Sequence, residues 1–143
     1  MSPKLLKQNF PAPAEGLVLT HFLVVGDQER SRDFYVRLFG ATIVQERDPV
    51  ILRISNGWLI LNVGGDPTDD KPEVFAMPPQ NERVLTGALN IRVADIEAVY
   101  QDWTARGAQF LTPPKDHGDE IRCYLRDPDG HLIEVGQTTG GLR

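Results

Sequence analysis

The chain has 143 residues, 41% apolar and 24% charged, with 15 basic against 20 acidic side chains for a net charge of −5. That length suits one domain with a real core, and the lack of a basic block excludes nucleic acid or an anionic membrane surface as the main partner, since nothing neutralises phosphates. No apolar run approaches the roughly 20 residues that span a bilayer, the N-terminus lacks an apolar leader, and Cys123, the one cysteine, permits no internal disulfide, so a cytoplasmic protein is expected.

Residues 1–16 carry Pro3, Pro11, Pro13 and Gly16 and read as an N-terminal arm laid on the domain or on a partner subunit. Residues 17–25, LVLTHFLVV, form a near-continuous apolar run, the pattern of a strand buried on both faces, with Thr20 and His21 as its exceptions. Asp27 is a good N-cap for a helix over 28–39, where Phe34, Tyr35, Leu38 and Phe39 recur at helical spacing and Gly40 closes the last turn. Strands follow at 41–45 and 50–54. Asn56-Gly57 signals a two-residue hairpin turn into a strand over 58–63. The Gly-, Pro- and Asp-rich stretch 64–86 reads as a long connection between two halves, with one short strand at 74–76.

The second half repeats the first. A strand over 88–93 leads to Asp95 as cap and a helix carrying Ile96, Val99, Tyr100 and Trp103, stopped by Gly107. A strand over 108–111, a loop over 112–120 and a hairpin around Asp127-Pro128-Asp129-Gly130 complete it, and residues 138–143 form a tail. Each half is strand, helix, strand, hairpin, and two copies of about fifty residues argue for a paired-module architecture. The expected class is α+β. Glu134 sits among Leu132, Ile133 and Val135. It either faces solvent or needs a partner, because burying a lone carboxylate is costly.

The Asp27, Ser31 and Phe34-Tyr35 pattern of the first helix, its Leu38-Phe39-Gly40 ending and the run Asp127-Pro128-Asp129-Gly130-His131-Leu132-Ile133-Glu134 resemble the vicinal oxygen chelate superfamily of glyoxalases, bleomycin-binding proteins and extradiol dioxygenases. The resemblance covers residues 17 to 137. It implies two βαβββ modules, about 17–63 and 87–137, whose strands curl into an open barrel-like sheet around a ligand cleft, and it implies a homodimer. It also implies one divalent cation (Fe, Mn, Ni or Zn) held by His and carboxylate ligands with a position left open. Glu134 matches the terminal ligand position. The first-strand ligand positions, counted back from Asp27 and Asp95, fall on Thr20 and Ala88, and Leu61 rather than Asn62 stands opposite Glu134. His21 is one residue late, and alternation turns it away in strict register. Strict register leaves Glu134 alone, which holds a transition metal poorly. A bulge turning His21 and Asn62 inward together would restore a set of His21, Asn62 and Glu134, with Asn90 as a weak fourth.

The leading expectation is therefore a metal-poor or metal-free binder of a small organic molecule. Asn90, Arg92 and Glu134 supply polar contacts, and Phe22, Leu61 and Trp58 supply walls. Arg92 pairs with Glu134 or takes a ligand carboxylate. His117, in the KDHGDE loop, is a candidate mobile acid or base or a plain solvated residue. His131 reads as structural and Cys123 as an inert core thiol. The competing expectation is a divalent-metal lyase or dioxygenase in which His21 and Glu134 are ligands.

Overall fold

The computed structural model describes residues 10–140. The chain divides into two compact units between Gln80 and Asn81. The first contains β1 (His21–Val25), α1 (Gln28–Phe39), β2 (Thr42–Gln45), β3 (Val50–Ile54) and β4 (Gly57–Val63) in an open sheet of order β1-β4-β3-β2. The second contains β5 (Leu89–Arg92), α2 (Ile96–Ala105), β6 (Lys115–Asp116), β7 (Glu120–Arg126) and β8 (Leu132–Thr138) in the order β5-β8-β7-β6. In both, the first strand runs parallel to the last and the remaining pairs are antiparallel. The repeat read from the sequence is thus an α+β fold of two βαβββ modules. Each sheet stays open, and neither closes into a barrel on itself.

Capping sets both helices. Asp27 accepts a hydrogen bond from the Arg30 amide and Asp95 one from the Ala98 amide, each at 3.1 Å, and Gly40 ends α1 in the left-handed region. Phe34, Tyr35 and Leu38 of α1 are buried, as are Leu23, Val25, Val50, Leu52, Leu59 and Leu61. In the second unit Ile96, Trp103, Cys123, Leu125, Ile133 and Val135 form the core. Alternation assigns one face of the second sheet to this core and gives the other to Asn90, Arg92, Tyr124 and Glu134.

Three local expectations shift. The first strand starts at His21 rather than Leu17, and Leu17 and Leu19 are 85% and 87% exposed. The parallel partner explains this: His21 pairs with Leu59, so residues further upstream would face the point where β4 turns into its hairpin. The strand is also buried on one face only, with Phe22 54% exposed. The first hairpin turns at Ser55-Asn56, one residue early, because Ile54 pairs with Gly57 and Ser55 takes the positive φ of 50°. The predicted strand over 108–111 reduces to a single Phe110–Leu125 bridge, and the short β6 appears inside the predicted loop. Pro113 and Pro114 interrupt the edge between them, since proline has no amide to donate to the ladder. Among the described residues no helix is long and apolar enough to cross a membrane.

Cys123 is 2% exposed. Burial, followed by the charge of Glu97, pushes its thiol up to about 11. That leaves about a hundredfold less thiolate at pH 8 than an ordinary thiol has. Labelling of the folded protein by a thiol reagent at pH 8 is expected to be at least about a hundredfold slower than in guanidinium chloride. Equal rates would contradict the buried placement.

Candidate functional site

The face of the second sheet remote from its core carries a concentration of polar and charged side chains. Register arranges it in cross-strand rows, since paired residues share a face. Asn90 pairs with Glu134 and Glu134 with Tyr124. One step along β8, Arg92 pairs with Gly136, Gly136 with Arg122 and Arg122 with Lys115. Beyond them Thr138 pairs with Glu120.

In the first row the Asn90 amide donates to one carboxylate oxygen of Glu134 and the Tyr124 hydroxyl donates to the other. The carboxylate is thereby held by two neutral donors on neighbouring strands. The hydrogen bond to Glu134, then burial, raise the Tyr124 phenol above the usual tyrosine value, because ionising it would forfeit that bond and face a like charge. In the second row Arg92 reaches across β8. Its Nη1 donates to Glu120 Oε1 at 3.0 Å and its Nη2 to Thr138 Oγ1 at 2.9 Å. Arg122 Nη1 holds the second Glu120 oxygen at 3.3 Å. The Arg92 hydrogen bond in particular holds the Glu120 carboxyl below its usual range. Gly136 permits this crossing: a Cβ there would lie 2.0 Å from Arg92 Nη1 and 2.7 Å from its Cζ. Glycine inside a strand marks a close approach of this kind.

Arg92 is thus tied to Glu120 and Thr138, and Glu134 to Asn90 and Tyr124, in place of the Arg92–Glu134 pair considered from sequence. His117 lies in the tight turn between β6 and β7, where its amide donates to the Glu120 carbonyl at 2.8 Å.

In the first unit the predicted residues separate. The β1–β4 ladder runs without a bulge, pairing His21 with Leu59 and Val24 with Asn62. His21 therefore shares the core-side face of Leu23 and Leu61, while Asn62 lies on the opposite face with Phe22, Trp58 and Ile60. The two do not turn to one face together. Leu61 is fully buried under α1. Aligning the modules on Asp27 and Asp95 sets Phe22 against Asn90, and their partners Ile60 and Glu134 then correspond. The counterpart of Glu134 is Ile60, not Leu61, because the first hairpin turns one residue early. Trp58 stacks edge-on to Phe10 at 5.8 Å and under the Arg53 guanidinium at 4.7 Å.

A separate hollow of about 220 Å³ opens by the N-terminus of α1. Its polar groups bind one another: Arg32 pairs with Glu29, Asp33 and Glu46, and Gln28 holds both the backbone and the side chain of Asp48.

A divalent cation requires converging lone pairs. Around Glu134 the neighbours Asn90 Nδ2 and Tyr124 OH are donors. Among the described residues no group of three or more His, Cys, Asp or Glu could hold a metal ion. The row as built does not fit a cation.

A sequence model of the Glyoxalase/Bleomycin resistance protein/Dioxygenase superfamily matches residues 18–135. The chain belongs to this superfamily. A lactoylglutathione lyase of Pseudomonas putida is 27% identical over 162 residues, covering 96% of this chain and 94% of the relative. Metallothiol transferase FosB of Shouchella clausii is 29% identical over 116 residues, covering 78% of this chain and 73% of the relative. A glyoxalase/bleomycin resistance protein/dioxygenase from Nocardioides superposes with a TM-score of 0.69 at 23% identity, covering 96% of this chain and 93% of that one, a likeness of fold. Against the superfamily's fold, the residues missed from sequence are Tyr124, Gly136 and Glu120. The signal for them was present in the alternation of Glu120, Arg122 and Tyr124 along β7 and in a glycine set inside a terminal strand.

Proposed function

We propose that this superfamily member binds a small organic molecule against the polar face of the second sheet, with Asn90, Arg92 and Glu134 as polar contacts and a degenerate metal site. The observation that carries the reading is the carboxylate of Glu134, fixed through both oxygens by Asn90 and Tyr124 on a face that no core residue occupies. Each carboxylate oxygen keeps a further lone pair for a ligand donor. A carboxylate already held in place loses little freedom when a ligand engages it. The protein acts in the cytoplasm as a homodimer, without nucleic acid or membrane as partner. His117 stands beside the polar rows, in the turn before β7, where its amide donates to the Glu120 carbonyl.

A second reading is a divalent-metal lyase using His21 and Glu134, and the relative named lactoylglutathione lyase favours it. It requires Glu134 to exchange its two donors for a cation. The discriminating experiment is a thermal-shift screen of small organic molecules on untagged protein, run with a chelator and again with Fe, Mn, Ni or Zn. Compounds that stabilise the chelated protein and lose their effect in Glu134→Ala support the binder. Stabilisation seen only with added metal, together with near-stoichiometric metal that is lost in His21→Ala, overturns it in favour of the lyase.

A further inference from the structure

We infer that the ligand is a small ω-amino carboxylate, its carboxylate seated on Arg92 and Arg122 and its protonated amine on Glu134. The inference rests on the reading of the second sheet's polar face as a binding surface and adds the chemical class that the face selects.

The argument is one of charge and spacing along β8. Lys115, Arg122 and Arg92 fall on one cross-strand row, and Glu120 is the carboxylate that joins the two arginines. Three cations against one carboxylate leave that end of the face positive. Glu120 spends one oxygen on each arginine, whereas each guanidinium has five N–H donors. The paired arginines therefore keep donors for a second carboxylate, in the planar geometry that suits one. The Glu134 row holds the opposite balance. Asn90 and Tyr124 are neutral, so Glu134 has no cation in its row.

The two rows are centred on Glu134 and Gly136, two residues apart on one strand, or about 6.6 Å. A chain of a few methylenes spans that distance. The lane over Gly136 makes the arrangement a built one. Any side chain at that position would drive the guanidinium off β8, since even a Cβ would stand 2.0 Å from Arg92 Nη1. Gly136 is thus a positioning residue for Arg92.

The test is calorimetric titration of the full chain, in the presence of a chelator, with glycine, 4-aminobutyrate, 6-aminohexanoate, butyrate and n-butylamine. The expected result is that 4-aminobutyrate or 6-aminohexanoate binds at least tenfold more tightly than glycine, butyrate or n-butylamine. Arg92→Ala costs tenfold or more for the amino acids and for butyrate and leaves n-butylamine unchanged, while Arg92→Lys recovers part of the loss. Glu134→Gln does the converse. Gly136→Ala reproduces the Arg92→Ala pattern, and Arg92→Ala carries the test if Gly136→Ala does not fold. Binding of butyrate and 4-aminobutyrate that is equal in native protein and Arg92→Ala overturns the inference. If neutral compounds still bind through Glu134 in that case, only the chemical class is wrong. If nothing binds through Glu134 either, the reading of this face as a binding surface falls with it.

Discussion

Replacing Asp127 with alanine is expected to lower the unfolding free energy by about 2–3 kcal/mol. Asp127 is 5% exposed. Its Oδ1 accepts from the Asp129 amide at 3.0 Å and from the His131 amide at 2.9 Å. Its own amide donates to the His131 carbonyl, and its carbonyl accepts from the Gly130 amide. The side chain thereby organises the five-residue loop that joins β7 to β8. Alanine leaves two amides without their acceptor, each costing on the order of 1 kcal/mol or more. The melting temperature should fall by roughly 5–10 °C. Asp127→Asn keeps a carbonyl oxygen in place and should recover most of the loss. Chemical denaturation of the three proteins side by side checks this, and an alanine variant within about 0.5 kcal/mol of the native chain would show that the loop does not depend on the carboxylate. The effect reaches the candidate site, because the loop fixes the register that sets Tyr124 opposite Glu134.

The second large effect is on binding. Glu134→Gln keeps the shape of the side chain but replaces one acceptor by an amide that faces the donors Asn90 Nδ2 and Tyr124 OH. The amide nitrogen can face only Tyr124, whose hydroxyl then turns from donor to acceptor, and the negative charge offered to a ligand is lost. Ligand affinity is expected to fall ten- to a hundredfold, about 1.5–3 kcal/mol. Tyr124→Phe removes a donor without reversing any dipole and should cost about three- to tenfold. A double variant that costs no more than Glu134→Gln alone would show that Tyr124 acts through Glu134 and not through the ligand. Isothermal titration with compounds from the chelated screen measures all three. Unchanged affinity in Glu134→Gln would remove Glu134 from the site.

Much of this was legible in the chain. The caps Asp27, Asp95 and Gly40, the helical spacing of Phe34, Tyr35 and Leu38, and the Asp127-Pro128-Asp129-Gly130 turn are local signals, and each formed where it was read. The α+β repeat followed from them. What misled was non-local. Residues 17–20 look like strand by composition, yet a strand needs a partner, and at the β1–β4 register residues 17 and 18 would lie opposite the Ser55-Asn56 turn. Asn56-Gly57 looks like the turn, yet the Ile54–Gly57 pair draws it one residue back. That one-residue difference exchanges faces all along β4, so the counterpart of Glu134 moved from Leu61 to Ile60.

At the site, Asn90, Arg92 and Glu134 were readable as polar intrusions in apolar strands. Their partners were not. Whether Arg92 meets Glu134 or Glu120 depends on which way a long side chain leans, and Gly136 decides it by clearing a path across β8. No spacing rule along a single strand carries that information.

The most direct test of the account is amide chemical-shift mapping by ¹⁵N–¹H NMR, in the presence of chelator, with a compound that stabilises the protein. The account predicts that the largest shifts fall on Asn90, Arg92, Arg122, Tyr124, Glu134 and Gly136, and that Glu134→Gln needs about ten- to a hundredfold more compound to produce them. Shifts centred instead on the hollow beside Asp27 and Asp48, or reached with no more compound in Glu134→Gln, would contradict the assignment of binding to the polar face of the second sheet.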